Sequence, residues 1–207
     1  MAEPRLPDRA SVLAELTDLL QFEADAHSSY AVAVGRLSRP ELREKVRAFG
    51  EDHARHVREL SATVRDLGGI PATLPHIPTG LLKLGVQMAG IPGDDRTVLL
   101  AFVSNEWQAR EKYARAAARP HAPALSSLLD RAARDEARHY DWAFSALREL
   151  GCGPETAIGQ ATRAFAQVHG TVAETLESFG RLWVEALVRA QEGVGASVPP
   201  GFGPRAG

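Results

Sequence analysis

The sequence predicts an all-α fold: a four-helix bundle made of two helical hairpins joined by a long crossover, followed by a long C-terminal fifth helix. Three observations predict it. Alternating β-branched runs are missing, so nothing reads as a strand. Alanine, leucine, arginine and glutamate fill long windows between proline and glycine breaks, a composition of good helix formers. The chain also repeats itself: one shift of 83 residues superimposes Glu23 on Glu106, Tyr30 on Tyr113, His53 on Glu136 and His56 on His139.

The first helix is expected from about Asp8 to Leu37, with Leu13, Leu16, Leu20, Tyr30, Val34 and Leu37 as its apolar stripe. The second begins behind Ser38, whose hydroxyl forms a capping box with Glu41, and Pro40 sits in the first turn where its missing N–H costs nothing. Gly68 and Gly69 stop it. The third starts at Asp94 or Asp95, acids that suit the positive end of a helix, and finishes before Pro120. The fourth runs from Pro123 to Leu150 and ends at Gly151.

Short joints make helices one and two a hairpin, and three and four another. The connection between the hairpins, about 25 residues, is long enough to cross the bundle from end to end, and its LLKLGVQM piece reads as a short helix. The fifth helix, from Pro154 to about Gly193, shows Ile158, Ala161, Phe165, Val168, Val172, Leu176, Phe179, Trp183 and Leu187 on one face, and that face needs a partner surface. The closing ASVPPGFGPRAG is rich in proline and glycine and reads as a mobile tail. The expected divisions are a bundle over 1–151, a helical extension over 152–194 and a flexible tail over 195–207.

A chain of 207 residues, 44% hydrophobic and 24% charged, can bury one good core. Net charge is only −2 with both signs spread along the chain, so no basic stripe points to nucleic acid. The most apolar region, Leu81 to Val103, is interrupted by Lys83, Pro92, Gly93, Asp94, Asp95 and Arg96, short of the roughly 20 residues a bilayer requires, so no membrane partner is expected. The start, MAEPRLPDRA, has no apolar leader pattern, and the single Cys152 allows no intrachain disulfide. A cytoplasmic protein is expected, with Cys152 a helix-end thiol without a role.

The repeat acquires chemistry once it is wound into helices, because residues three, four and seven apart share a face. On the second helix the inward stripe is Leu42, Val46, Phe49, His53, His56, Leu60 and Leu67, and on the fourth it is Leu125, Leu129, Ala132, Glu136, His139, Ala143 and Leu150. Imidazoles and a carboxylate therefore interrupt the core in register, and Glu23 and Glu106 do the same on helices one and three. Polar groups left unpaired in an apolar interior cost several kcal/mol, and ionised carboxylates more. A bound cation removes that cost. Carboxylate oxygens and imidazole nitrogens suit iron, manganese or zinc, and no thiol appears among them to suit an iron–sulfur cluster. The alternative is a metal-free polar network. His27, His76, His121 and His169 read as surface or capping residues, Trp107, Trp142 and Trp183 as packing residues, and Arg43, Glu44, Lys45 and Arg47 as a solvated face.

This arrangement over residues 9 to 150 resembles the ferritin-like di-metal carboxylate superfamily, which includes bacterioferritins and rubrerythrins, where one glutamate from each of two helices joins a Glu-x-x-His from each of the other two. The resemblance implies two metal ions, iron first among the candidates, held by Glu23, His53, His56, Glu106, Glu136 and His139. It implies terminal carboxylates at Glu23 and Glu106, terminal histidines at His56 and His139, and a carboxylate bridging both metals at Glu136. Tyr30 and Tyr113 resemble the tyrosines found behind such ligands, although simple core packing explains them equally. Asp52 and Asp135 resemble the aspartates that orient the opposite helix's histidine. His53 departs from the pattern, standing where the superfamily has its other bridging glutamate.

The resemblance implies a ferroxidase or a peroxidase-type oxidoreductase, oxidising ferrous iron or reducing peroxide or dioxygen, with an external reductant because one cysteine cannot build an iron–sulfur domain. The contrasting expectation is a metal-free or zinc-binding structural bundle, its fifth helix mediating homo-oligomerisation.

Overall fold

The computed structural model describes residues 6–72 and 94–197. It contains α1 (Arg9–Arg36), α2 (Pro40–Asp66), α3 (Asp95–Ala117), α4 (Pro123–Glu149) and α5 (Ala157–Ser197), and no strand among the described residues. Helix α1 packs on α2 and α3 on α4 as antiparallel hairpins; α1 also meets α3, α2 meets α4, and α5 lies along α1 and α3. The crossover helix expected at LLKLGVQM lies outside the described residues, as does the tail beyond Ser197.

The 83-residue repeat extends to the helix ends. Pro40 and Pro123 open α2 and α4 at the first helical position. Both helices close with the same paired bonds: Gly68 and Gly69 donate to the carbonyls of Arg65 and Val64, and Gly151 and Cys152 to those of Arg148 and Leu147, all at 2.8 to 3.0 Å. Gly68 and Gly151 take φ of 72° and 76°, left-handed values that a side chain would resist. Cys152, at the second of these ends, is buried in the core.

The expected capping box at Ser38 does not form. A residue before proline is driven out of the α region, so Arg39 becomes the boundary and Ser38 falls one residue outside the helix. Its backbone N–H and hydroxyl donate instead to Asp95 at 2.5 and 2.9 Å, tying the α1–α2 joint to the start of α3. Helix α3 is capped by Asp94, whose carboxylate accepts from Arg96 N at 3.1 Å.

Two apolar clusters fill the bundle. One, around Leu37, Val46, Phe49, Phe102, Phe144 and Leu147, occupies the end where α1 finishes; the other, around Leu16, Leu20, Leu60, Val64, Leu125 and Leu129, occupies the end where α1 starts. On every helix of the bundle the polar interruption falls between them.

Helix α5 starts at Ala157 rather than Pro154 and continues to Ser197, over the first residues of the expected tail. Among its described side chains, those that reach the bundle are mostly charged. Glu177 receives Lys112 Nζ at 2.6 Å, Arg181 reaches Asp18 at 2.7 Å, and Arg189 reaches Asp8 at 3.1 Å, with Val188 packed against the core. Ile158, Val168, Trp183 and Leu187 of the apolar stripe stay 54 to 71% exposed, and Leu182 beside them 61%.

Candidate metal centre

All six residues expected at the site converge midway along the bundle, and none is more than 2% exposed. Each arrives from a helix whose neighbouring inward positions are apolar, so packing fixes their depth. Their donor atoms form two groups of four, Glu23, His53, His56 and Glu136 in one and His53, Glu106, Glu136 and His139 in the other, with the atoms of each group within 4.8 Å of one another. The groups share His53 and Glu136, the one pair among the six site residues at which the two copies of the repeat differ.

The repeat makes the supporting bonds reciprocal. Tyr30 Oη donates to Glu106 Oε1 at 2.8 Å, and Tyr113 Oη donates to Glu23 Oε1. His139 Nε2 lies 3.0 Å from Asp52 Oδ2, and His56 Nε2 lies 3.3 Å from Asp135 Oδ2. The aspartates thus face the outer nitrogens, and the Nδ1 atoms of His56 and His139 turn inward, 3.3 and 3.5 Å from the Glu136 oxygens. A carboxylate on the outer nitrogen fixes the tautomer and raises the basicity of the inner one, as ligation requires.

Arg55 and Arg138 complete this shell, and the sequence reading missed them. Arg55 bonds Asp52 at 2.7 Å and also Asp135; Arg138 bonds Asp135 at 2.9 Å and Asp52 at 2.6 Å. The signal was available, because the shift of 83 that relates DHARH to DEARH also superimposes Arg55 on Arg138. The four side chains lace α2 to α4 directly outside the two histidines.

His53 reaches Glu23 Oε2 with Nδ1 at 2.7 Å and Tyr30 Oη with Nε2 at 2.9 Å. The tyrosine's only proton goes to Glu106 and an ionised carboxylate only accepts, so both imidazole nitrogens carry protons. Burial works against that charge, but Glu136 and Glu23 push the imidazole up to about 9. His56, opposed by burial and favoured by the same carboxylates, stands at about 10. Burial also pushes Glu136 up, and the imidazoles, His53 foremost, outweigh it and hold the carboxyl well below its usual range. Glu106 lies farther from this charge, and burial with Glu136 nearby carries it up to about 7.

These bonds leave one side of the centre unsatisfied. Both Glu136 oxygens, Glu106 Oε2 and His139 Nδ1 are buried without a hydrogen bond. Each such group carries a desolvation penalty of about 1–3 kcal/mol, more when charged. The four atoms belong to Glu106, Glu136 and His139, of which Glu136 is shared by both donor groups, and they are oxygen and imidazole donors that a divalent ion would satisfy together. The residues therefore fit a metal centre. Of the other histidines, His27 is exposed and His121 Nε2 bonds the carbonyl of Ala116 at the end of α3, whereas His76 and the side chain of His169 lie outside the described residues.

Paired antiparallel hairpins with carboxylates and histidines at mid-bundle give the chain a ferritin-like fold. The chain belongs to the family described as domain of unknown function DUF2383, whose model matches residues 11–119, more than half of the chain. The fold is similar to that of the bacterioferritin-related protein from Bacteroides fragilis, described as a dodecameric thioferritin, with a TM-score of 0.57 and 16% identity over 70% of this chain and 88% of that one. No curated protein matches the sequence. Among the described residues no helix is long and apolar enough to cross a membrane.

The imidazole values give the pH dependence a definite sign. His53 and His56 hold protons in the folded, metal-free protein up to about 9 and about 10, above the usual histidine value. Their contribution to stability is complete below about 6.5 and lost as pH rises through those values. Metal must displace these protons, so its affinity rises across the same window, by up to about tenfold per pH unit for each proton released. Thermal melting of chelator-treated protein from pH 6.5 to 9 is expected to show a falling Tm, and the increment produced by added Mn2+ is expected to grow. A Tm that rises with pH in the metal-free protein contradicts the assignment.

Proposed function

We propose that this protein holds two metal ions, iron in the cell, at Glu23, His53, His56, Glu106, Glu136 and His139, and oxidises ferrous iron with dioxygen or peroxide as electron acceptor. The observation that carries the reading is the buried, hydrogen-bond-deficient group of Glu136, Glu106 and His139 donors between two apolar clusters. A network built to be metal-free would satisfy those atoms internally. Manganese and zinc accept the same ligands, and iron is preferred on the likeness to ferritin-like proteins.

Bound iron would supply the ferrous–ferric couple and open positions for the oxidant. The protein's part is positional. Glu136 belongs to both donor groups and so serves either position. Tyr30 and Tyr113 hold Glu106 and Glu23 in place, and both phenols are kept protonated, first by burial and then by the adjoining carboxylates, so they remain donors. Asp52 and Asp135 aim the histidines inward. The two positions differ: Glu23 accepts from His53 at 2.7 Å, whereas Glu106 Oε2 and His139 Nδ1 have no hydrogen bond, so the Glu106, Glu136 and His139 side binds first and more tightly. Electrons that return the metal to its ferrous form come from an external reductant.

Elemental analysis of purified protein, with a ferrous-oxidation assay, tests this directly. Two ions per chain are expected, falling to about one in His56→Ala and near zero in Glu136→Ala, with oxidation lost in both. Unchanged metal content in both variants would leave only a helical scaffold.

We further propose that the protein is a homo-oligomer in which a second copy covers the exposed stripe of α5. Five large apolar side chains between Ile158 and Leu187, each 54 to 71% exposed, support this, since monomers rarely expose so long an apolar stripe. Sedimentation analysis of Trp183→Lys with Leu187→Lys should give a smaller species than the parent protein. Identical masses, or a monomeric parent, contradict it.

A further inference from the structure

His53 changes the charge of the centre as well as its symmetry. One hairpin brings Glu23, His53 and His56 to it and the other Glu106, Glu136 and His139, so an imidazole stands where the second copy of the repeat has a carboxylate. Fully ionised, the six side chains carry three negative charges, and a glutamate at position 53 would make four. Bound to a metal, His53 is a neutral imidazole. Unbound, it is an imidazolium held by Glu23 Oε2 at 2.7 Å and Tyr30 Oη at 2.9 Å. In neither state does it supply the fourth negative charge.

Among the described residues, the side chains bonded to the ligands do not restore it. Outside the histidines, Asp52 and Asp135 are matched by Arg55 and Arg138, so that ring is neutral. Tyr30 and Tyr113 donate to Glu106 and Glu23, and burial keeps both phenols protonated, so neither adds a phenolate. Apolar clusters close the bundle above and below, and His53 and Glu136 are 2% and 0% exposed, which leaves solvent little power to screen the difference.

Two divalent ions exceed the three carboxylate charges by one, and two trivalent ions exceed them by three. Uncompensated charge in an apolar interior is costly, and attraction to a carboxylate grows with the charge on the ion. The missing carboxylate therefore weakens the binding of trivalent ions more than that of divalent ones.

We propose that His53 is a specificity-determining residue that sets the centre for divalent ions and against trivalent ones, so that a ferric product gives way to fresh ferrous iron. The inference rests on the metal-centre reading above.

Zn2+ and Ga3+ test it, because both are d10 ions that differ chiefly in charge. Metal-free full-length protein is equilibrated with citrate-buffered mixtures of the two, and the bound ions are counted by elemental analysis after gel filtration. His53→Glu and His53→Gln place side chains of one shape and different charge at this position. The ratio of bound Ga3+ to bound Zn2+ is expected to be higher by about tenfold or more in His53→Glu than in both His53→Gln and the parent protein. A ratio in His53→Glu no higher than in either of them overturns the proposal and leaves the centre standing. If His53→Glu does not fold, Glu106→Gln decides, since it removes a buried charge: a ratio below the parent's is expected, and one equal to or above it overturns the proposal. A parent protein that binds neither ion overturns this inference and the metal-centre reading together.

Discussion

Three carboxylates and three imidazoles share one level of this bundle, none more than 2% exposed, with leucine, valine and phenylalanine above and below. Everything else in the structure accommodates that burial. Ionised groups removed from water are tolerated only when opposite charge and hydrogen bonds are supplied in place of the lost hydration. Part of the compensation comes from within: two tyrosines donate to two glutamates, two aspartates face two histidines, and the His53 imidazolium stands between Glu23 and Glu136. The remainder, at Glu136, Glu106 and His139, has no hydrogen bond within the protein, which is what the proposed metal ions would compensate.

The repeat explains why the burden is shared so evenly. Residues related by the 83-residue shift recur in the core, around the histidines, in the Arg–Asp ring and at the helix ends, so one hairpin's solution is used twice across the bundle. The exception is informative. Where one copy has Glu136 the other has His53, and that substitution gives the metal-free centre a positive charge of its own. It also makes the two candidate positions unequal, which a symmetrical set of four glutamates and two histidines would not.

Much of this was legible in the sequence for a physical reason. Helical periodicity converts spacing into depth, so polar residues at core register in four helices could be assigned to one level before any coordinates. Side-chain reach is not encoded in spacing. The Arg55 and Arg138 ring links helices distant in sequence, and nothing in DHARH alone says that its arginine spans to the other helix. Ser38 was misread because Pro40 moved the helix boundary by one residue. The contacts of α5 were equally hidden: its apolar stripe called for a partner surface, but the spacing did not show that Glu177 and Arg181 would be tied to the bundle through Lys112 and Asp18.

The central claim is that these six side chains form a centre for two metal ions. Crystals grown with Fe2+ or Mn2+, measured on both sides of the metal's absorption edge, test it most directly. The account predicts two anomalous peaks in the bundle core flanking Glu136, one beside Glu23 and His56 and a stronger one beside Glu106 and His139. An empty core, or metal bound only at surface carboxylates, would contradict it.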